Sequence, residues 1–229
     1  MNVCKQLNFK FAHHHLHTEY SPFDAPVSLK KMVEYSKHLG YKTVTVSDHG
    51  SVSSWVKLAG LCKDNGLKPI FGLEGYFVEN RLDKGGKREN YHCLLLAKNS
   101  EGVKNIYRLS ELAFREGFYH DPRFDWESLE KYHEGVICTT SCVGGFVPDA
   151  FNLEPNDPYL AILGPDGKPV EEDGQPKFMS HMDLALKRAS RFKSIFGDDF
   201  YAEVQYHGSE IDKLYAGVAK VAKELKLKV

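Results

Sequence analysis

Residues 43–50 of the chain read TVTVSDHG, a run rich in β-branched residues that ends in an acid, an imidazole and a glycine. Such a run predicts a short buried strand, and similar runs alternate along the chain with segments of helical period. Because parallel strands joined by crossover helices have this alternation, the sequence predicts an α/β fold. The six predicted strands span residues 9–16, 43–47, 69–78, 91–97, 135–140 and 200–205.

Three helices are predicted from apolar residues that recur on one face. The first spans residues 29–39 before Gly40, and the last spans residues 211–225. The helix between them begins at a capping box formed by Ser180 and Asp183, and it ends at Gly197.

The segment from residue 153 to residue 178 interrupts this alternation. It holds five of the ten prolines, which disfavour helix there, and Asp166-Gly167 could be the turn of a small hairpin. We therefore predict a single domain over residues 1–229 with an inserted surface excursion at 153–178.

Composition excludes several classes of protein. The formal net charge of −1 gives no strong overall attraction to nucleic acid or to an anionic membrane. Five cysteines without a C-x-x-C pair argue against a disulfide framework and a zinc ribbon. The longest apolar run, residues 93–97, is far too short to span a membrane, and residues 1–10 lack a secretory signal. The expected location is the cytoplasm.

Four histidines fall in the segment from residue 13 to residue 17, HHHLH. On a strand, His15 and His17 point to the same side about 7 Å apart, where they could hold one metal ion or two adjacent ions. The alternatives are a polar strand end and a remnant of an expression tag.

Other predicted strands carry potential ligands at their ends. Asp48 and His49 end one strand, Glu74 lies inside an apolar strand, His92 begins the next, and Cys142 follows the fifth. A buried carboxylate is costly unless it is paired or bound to a cation, so Glu74 is either a ligand or part of a structural ion pair. For His92 and Cys142 alone, the alternative is an ordinary core residue. Their joint placement favours a site, because sites of parallel barrels are built at one end of the strands.

Several short strings match one known family in order and spacing. They are HLHTEYS at 15–21, SDHG at 47–50, GLE at 72–74, LLLAK at 94–98 after His92, EGFY at 116–119, PR at 122–123 and SCVG at 141–144. Together they resemble the PHP (polymerase and histidinol phosphatase) domain at the N-terminus of bacterial DNA polymerase III α subunits. The resemblance implies a distorted, TIM-like (β/α)7 barrel.

The resemblance also implies ligands for up to three metal ions, Zn²⁺ or else Mn²⁺ or Fe²⁺. His15, His17 and Glu74 would hold the first ion, Glu74, His92 and Cys142 the second, and Asp24 and His49 the third. Asp24 could instead be a solvated turn residue or a helix cap. Asp48 is expected to orient a ligand imidazole.

In the family, a last strand completes two of these ion sites, and the chain stops before it. We therefore expect either a truncated domain or a second chain that supplies the strand, and about one tight metal site in this chain. The remaining polymerase portion is the other expected partner.

The implied activity is metal-dependent hydrolysis of DNA phosphodiesters, as a 3′→5′ proofreading exonuclease acting on the primer 3′ end. Glu74, His15, His17 and Asp48 would carry it, although weakly in the isolated chain. The alternatives are a scaffold that positions polymerase and exonuclease partners, and a phosphomonoesterase acting on small molecules.

Further residues are candidates for contact with the substrate. Arg123 in the PR string, with Arg81 and Lys84 in a mixed-charge loop, could bind DNA phosphates. For Arg81 and Lys84 the alternative is an ordinary solvated loop, and for Arg123 it is a surface ion pair. Glu203 and His207 could line the same mouth or have structural roles.

Overall fold

The computed structural model describes residues 12–22, 24–85, 90–208 and 211–229. The chain divides into two compact units, residues 1–138 and residues 139–229. Both contain helices and strands, so the predicted α/β class is confirmed.

The first unit contains a sheet and four helices. Its strands are β1 (Thr43–His49), β2 (Lys68–Phe77), β3 (Tyr91–Ala97), β4 (Arg123–Phe124) and β5 (Val136–Thr139), the last of which crosses the boundary between the units. Its helices are α1 (Leu29–His38), α2 (Trp55–Asn65), α3 (Ser100–Arg115) and α4 (Trp126–Tyr132).

The strands of this sheet do not all run in one direction, which corrects the expectation of parallel strands. β1 is parallel to β2, but β3 is antiparallel to both β2 and β5, and β4 pairs with the end of β2. Because β3 is reversed, its first residues lie at the same edge of the sheet as the last residues of β1.

A strand was predicted over residues 9–16, but the described residues of this segment do not form one. Residues 9–11 lie outside the described residues, and residues 12–16 have no strand conformation. Leu16 nevertheless runs beside β1, because its amide donates to Oγ of Ser47 and its carbonyl accepts from the amide of Ser47. These bonds place the following histidine next to the end of β1.

Helices cover the apolar side chains of this sheet. α1 packs on β1, α2 on β1 and β2, and α3 on β3. Trp55, at the start of α2, is fully buried and its indole donates to the carbonyl of Gly72 at 3.0 Å. This packing fixes the part of the sheet edge that carries the polar residues described below.

The second unit is mainly helical. It contains α5 (Phe146–Asp149), a 3₁₀ helix (Pro158–Leu160), β6 (Glu171–Glu172), β7 (Gln175–Pro176), α6 (His181–Phe196), β8 (Phe200–Tyr201) and α7 (Asp212–Leu225). The capping box of Ser180 and Asp183 is present at the start of α6. The strand predicted over residues 200–205 is only two residues long, and the amide of Ala202 then donates to the carbonyl of Lys228.

The excursion contains two small hairpins. Asp166-Gly167 is a turn, as predicted, because Leu163 bridges to Pro169 and the amide of Gly164 donates to the carbonyl of Lys168. β6 and β7 form the second hairpin. No helix within the described residues is long and apolar enough to cross a membrane.

Candidate metal centre

Strand register brings three potential ligands together at one edge of the first unit's sheet. His49 pairs with Glu74 across β1 and β2, and Glu74 pairs with Leu94 across β2 and β3. His92 lies two residues before Leu94, so its side chain is on the same face as Glu74.

Close packing around Glu74 and His49 explains the glycines that follow them. Gly75 lies against the ring of Phe124, which leaves no space for a side chain. Gly50 has a φ of +59°, which favours glycine, and its amide donates to the carbonyl of Glu74 at 2.9 Å. β1 therefore turns away directly after His49, which leaves the imidazole at the edge.

Four imidazoles surround the carboxylate of Glu74, which is 1% exposed. Oε1 lies 3.0 Å from Nε2 of His15 and 3.2 Å from Nδ1 of His92. Oε2 lies 3.1 Å from Nε2 of His17 and 3.2 Å from Nδ1 of His49. Glu74 is thus the central side chain of the cluster.

The environment shifts the pKa values of two of these groups. Burial alone would raise the pKa of Glu74, but hydrogen bonds from His15, His17 and His92 outweigh it and hold that pKa far below its usual range. Burial lowers the pKa of His49, more than the charge of Glu74 raises it. The carboxylate is therefore held ionised and the His49 imidazole neutral, the forms that bind divalent metals.

Asp24 extends the cluster towards solvent. Its Oδ2 lies 3.7 Å from Nε2 of His17 and 3.7 Å from Nε2 of His49, and its side chain is 46% exposed. Asp24 is an exposed turn residue, as in the alternative, and it also lies beside two imidazoles.

The arrangement fits divalent cations. Three groups have potential ligand atoms within 4.8 Å of one another: His15, His17 and Glu74; His17, Asp24 and His49; and His49, Glu74 and His92. Nδ1 of His49 is buried and makes no hydrogen bond among the described residues, although Oε2 of Glu74 is 3.2 Å away. A cation held by His49 would satisfy the lone pair of this nitrogen. Imidazole and carboxylate ligands suit Zn²⁺, Mn²⁺ and Fe²⁺.

These groups differ in part from the sets implied by the resemblance. The first set is present as described, and His17 joins the expected pair of Asp24 and His49. His92 and Glu74 form a group with His49, whereas the resemblance implies a set of Glu74, His92 and Cys142.

Asp48 does not orient an imidazole, which corrects the expectation for this residue. It is fully buried, and its described hydrogen bonds come from the amide and hydroxyl of Thr18 and the hydroxyls of Ser21 and Ser54, at 2.7 to 3.1 Å. The Ser21 hydroxyl also accepts from the amide of His49 at 2.9 Å. Asp48 therefore fixes the backbone that carries the potential ligands.

Sequence reasoning had not identified the three hydroxyl residues Thr18, Ser21 and Ser54. Two of them lie within the HLHTEYS string and the third shortly after SDHG. Their closeness in sequence to the potential ligands could have indicated a role in the site. Hydroxyl residues are also common in ordinary turns, however, so this closeness was not specific.

The guanidinium of Arg81 is buried in a network of acids rather than presented to DNA. It contacts Glu116, Asp125 and Glu127 at 2.9 to 3.0 Å, and together these partners raise the pKa of Arg81 although burial opposes them. Arg81 therefore forms a buried ion-pair network, which the alternative of an ordinary solvated loop did not anticipate.

Arg123 is also directed into the protein. It is buried, and it donates to the carbonyl groups of Gly117, Arg81 and Asp83 at 2.8 to 3.2 Å. Its Nε and Nη2 atoms thus bind backbone acceptors of the neighbouring loops. Lys84 is exposed.

Cys142, Glu203 and His207 belong to the second unit. Cys142 is partly buried and its carbonyl accepts from the amide of Gly145. Glu203 accepts hydrogen bonds from Thr139 and Gln205, and His207 contacts Gln205 and stacks on Tyr215. For Glu203 and His207, these contacts agree with structural roles.

Comparison with known proteins identifies the family. The model of the PHP domain matches residues 13–207. The DNA polymerase III subunit alpha of Aquifex aeolicus is 38% identical over 204 residues, which are 85% of this chain and 15% of that protein. The same subunit of Borreliella burgdorferi is 32% identical over 94% of this chain and 17% of that protein, and that of Helicobacter pylori is 35% identical over 88% and 15%.

The chain thus spans about one sixth of the length of these relatives. The match includes the described cluster, since His15, His17, Asp24, His49, Glu74 and His92 all lie within residues 13–207. The chain therefore belongs to the PHP domain family, as a PHP domain of the DNA polymerase III α subunit type.

Proposed function

We propose that the chain hydrolyses phosphodiester bonds at the 3′ end of DNA, as the proofreading 3′→5′ exonuclease domain of a replicative polymerase. The observation that carries this proposal is the buried Glu74 carboxylate with four imidazole nitrogens within 3.2 Å. So dense a set of ionisable ligands is costly to fold unless a cation uses it.

The proposed cofactor is Zn²⁺, or else Mn²⁺ or Fe²⁺, with up to three ions in the complete domain. His15, His17, Asp24, His49, Glu74 and His92 would hold these ions, and Cys142 remains a proposed ligand. When bound, such ions supply Lewis-acid activation of water and of phosphate oxygens.

The residues of the chain provide the framework for this chemistry. Glu74 and Asp24 bring two negative charges, which repel a phosphodiester and attract cations. The half-buried His15 and His17 hold the ligand nitrogens in fixed positions around Glu74. Asp48 acts indirectly. It accepts hydrogen bonds from Thr18, Ser21 and Ser54 and so holds the backbone that carries the cluster.

The proposed partners are DNA and the rest of a polymerase, in the cytoplasm of a bacterial cell. The relatives are bacterial polymerase subunits that are much longer than this chain, which supports this context. The exposed Lys84 remains a candidate for contact with a phosphate.

The test compares two substrates with protein loaded with Mn²⁺ or Zn²⁺. One is a primer with a mismatched 3′ end, and the other is histidinol phosphate. Shortening of the primer is the expected result. Release of inorganic phosphate from histidinol phosphate alone would favour the phosphomonoesterase, and no reaction with either would favour the scaffold.

The matched variants are Glu74→Gln and Glu172→Gln. Glu74→Gln keeps the shape of the side chain but removes its charge, so primer shortening should fall by at least about 100-fold. Glu172 is exposed in the excursion, so its variant should retain the wild-type rate. Equal rates for the two variants would contradict the proposal.

A further inference from the structure

A cavity of about 650 Å³ opens beside the metal centre, within the first unit. It lies between α1 and the segment that precedes the cluster, and its size is typical of small-molecule sites. His17 lines this cavity and also contacts Glu74 in the cluster. The cavity and the proposed metal centre therefore share a wall.

The lining is mainly apolar and aromatic. Leu16 and the buried Met32 contribute apolar surface, while two pairs of rings contribute aromatic surface. His13 and Tyr41 meet edge to face with centroids 5.9 Å apart, and Tyr35 stacks on His38 at 6.4 Å.

Tyr35 is an accessible ring of this lining, since 63% of its surface is exposed. An exposed ring in a cavity next to a proposed phosphodiester site can stack on a nucleobase, because every base has a π face. Charge alone does not select a phosphate here, since Lys31 and Glu34 both line the cavity.

We propose that this cavity binds the 3′-terminal nucleobase of a single DNA strand, with Tyr35 as a stacking residue. The inference rests on the proposed function, since it is the phosphodiester held at the metal centre that brings the adjacent base to the wall formed by His17. Recognition by stacking would accept any of the four bases, which suits removal of whichever nucleotide ends the strand.

The test measures binding of two single-stranded oligonucleotides in the presence of Mn²⁺, with phosphorothioate linkages that slow cleavage. One ends in a normal nucleotide and the other in an abasic residue. Wild-type protein should bind the normal end about tenfold more tightly than the abasic end.

Three variants test whether the preference for the normal end depends on the ring of Tyr35. Tyr35→Ala should bind both oligonucleotides with the weaker affinity, and Tyr35→Phe should retain the preference because the ring remains. Tyr159→Ala removes a partly exposed tyrosine of the second unit, outside the cavity, and should behave as wild type. Equal binding of both ends by wild-type protein, or a preference that survives in Tyr35→Ala, would overturn the inference.

Hydrolysis of bis(4-nitrophenyl) phosphate separates this inference from the proposed function. This phosphodiester has no nucleobase, so its hydrolysis by the wild-type protein reports on the metal centre rather than on recognition of a base. If neither it nor the primer is cleaved, the proposed function fails while the binding preference can still be measured. If both are cleaved without any preference for a terminal base, the function stands and the cavity inference fails.

Discussion

The imidazole rings of His17 and His49 lie face to face, with their centroids 4.4 Å apart and their planes inclined by 7°. Both rings direct Nε2 towards the same oxygen of Asp24, at 3.7 Å. Burial lowers the pKa of His49 in this stack, which favours its neutral imidazole. Neutral imidazole is also the form that binds a divalent cation.

This relationship leads to an expected loss of stability in acid when metal is chelated. Burial lowers the pKa of His49 from its ordinary value of 6.5, so the unfolded chain binds the proton more readily. The contribution of His49 is therefore lost as the pH falls below about 6.5. The pKa of Glu74 is also lowered by folding, so its contribution to stability is lost below about pH 4.5, where the carboxyl of the unfolded chain takes up a proton first.

Urea unfolding in a chelating buffer checks this expectation. The free energy of unfolding should decrease from about pH 7.5 to about pH 5.5, and His49→Gln should reduce the decrease. A free energy that stays constant or rises over this interval would contradict the assignment of a neutral His49.

Binding of metal should stabilise the folded chain. An ion that binds only the folded state adds about 2.7 kcal/mol at a free concentration 100 times its dissociation constant. We expect Mn²⁺ or Zn²⁺ to raise the melting temperature of wild type and of His14→Ala, because His14 is exposed and outside the described cluster. His15→Ala should lose much of this increase, and an equal increase in both histidine variants would contradict the ligand set.

Asp48→Asn should destabilise the chain although Asp48 does not contact an imidazole. The amide provides one acceptor oxygen where the carboxylate has two, so at least one buried donor loses its partner. We expect the free energy of unfolding to fall by about 2 kcal/mol and metal affinity to fall about 10- to 100-fold. Chemical denaturation and metal titration measure these effects, with Asp64→Asn as the exposed control; a variant indistinguishable from that control would contradict the role as an anchor.

Arg81→Ala should destabilise the chain far more than Lys84→Ala. Removing the guanidinium leaves the buried Asp125 without its charged partner, which costs about 3 to 5 kcal/mol in buried pairs. Lys84 is exposed, and its variant should change stability by less than about 0.5 kcal/mol. Denaturant midpoints of both variants test this, and similar midpoints would show that Arg81 does not stabilise the fold.

Much of the sheet could be predicted from the sequence because its strands are apolar runs. β3 has the predicted bounds, β1 begins as predicted and ends two residues later, and β2 is shifted by one residue at each end. The reversed direction of β3 could not be predicted, because the apolar pattern of a strand is the same in both directions. α3 was not predicted, although Ile106, Leu109 and Ala113 mark one buried face.

The grouping of His15, His17, Asp24, His49, Glu74 and His92 could be predicted because several strings pointed to one strand edge and resembled one family. The burial of Arg81 and Arg123 could not be predicted, because an arginine in a polar loop has the same sequence pattern whether its partners are solvent or protein. Their acid and carbonyl partners come from segments as much as 46 residues away.

The bonds that Asp48 accepts join two parts of the chain without involving any imidazole. Thr18 and Ser21 follow the first pair of histidines, while Ser54 precedes α2. The proposed pocket for the ions is thus preorganised by the Asp48 oxygens, which are outside the proposed ligand set. Ions could then exchange without melting the surrounding loops, in contrast to zinc fingers, whose fold is assembled by the metal itself.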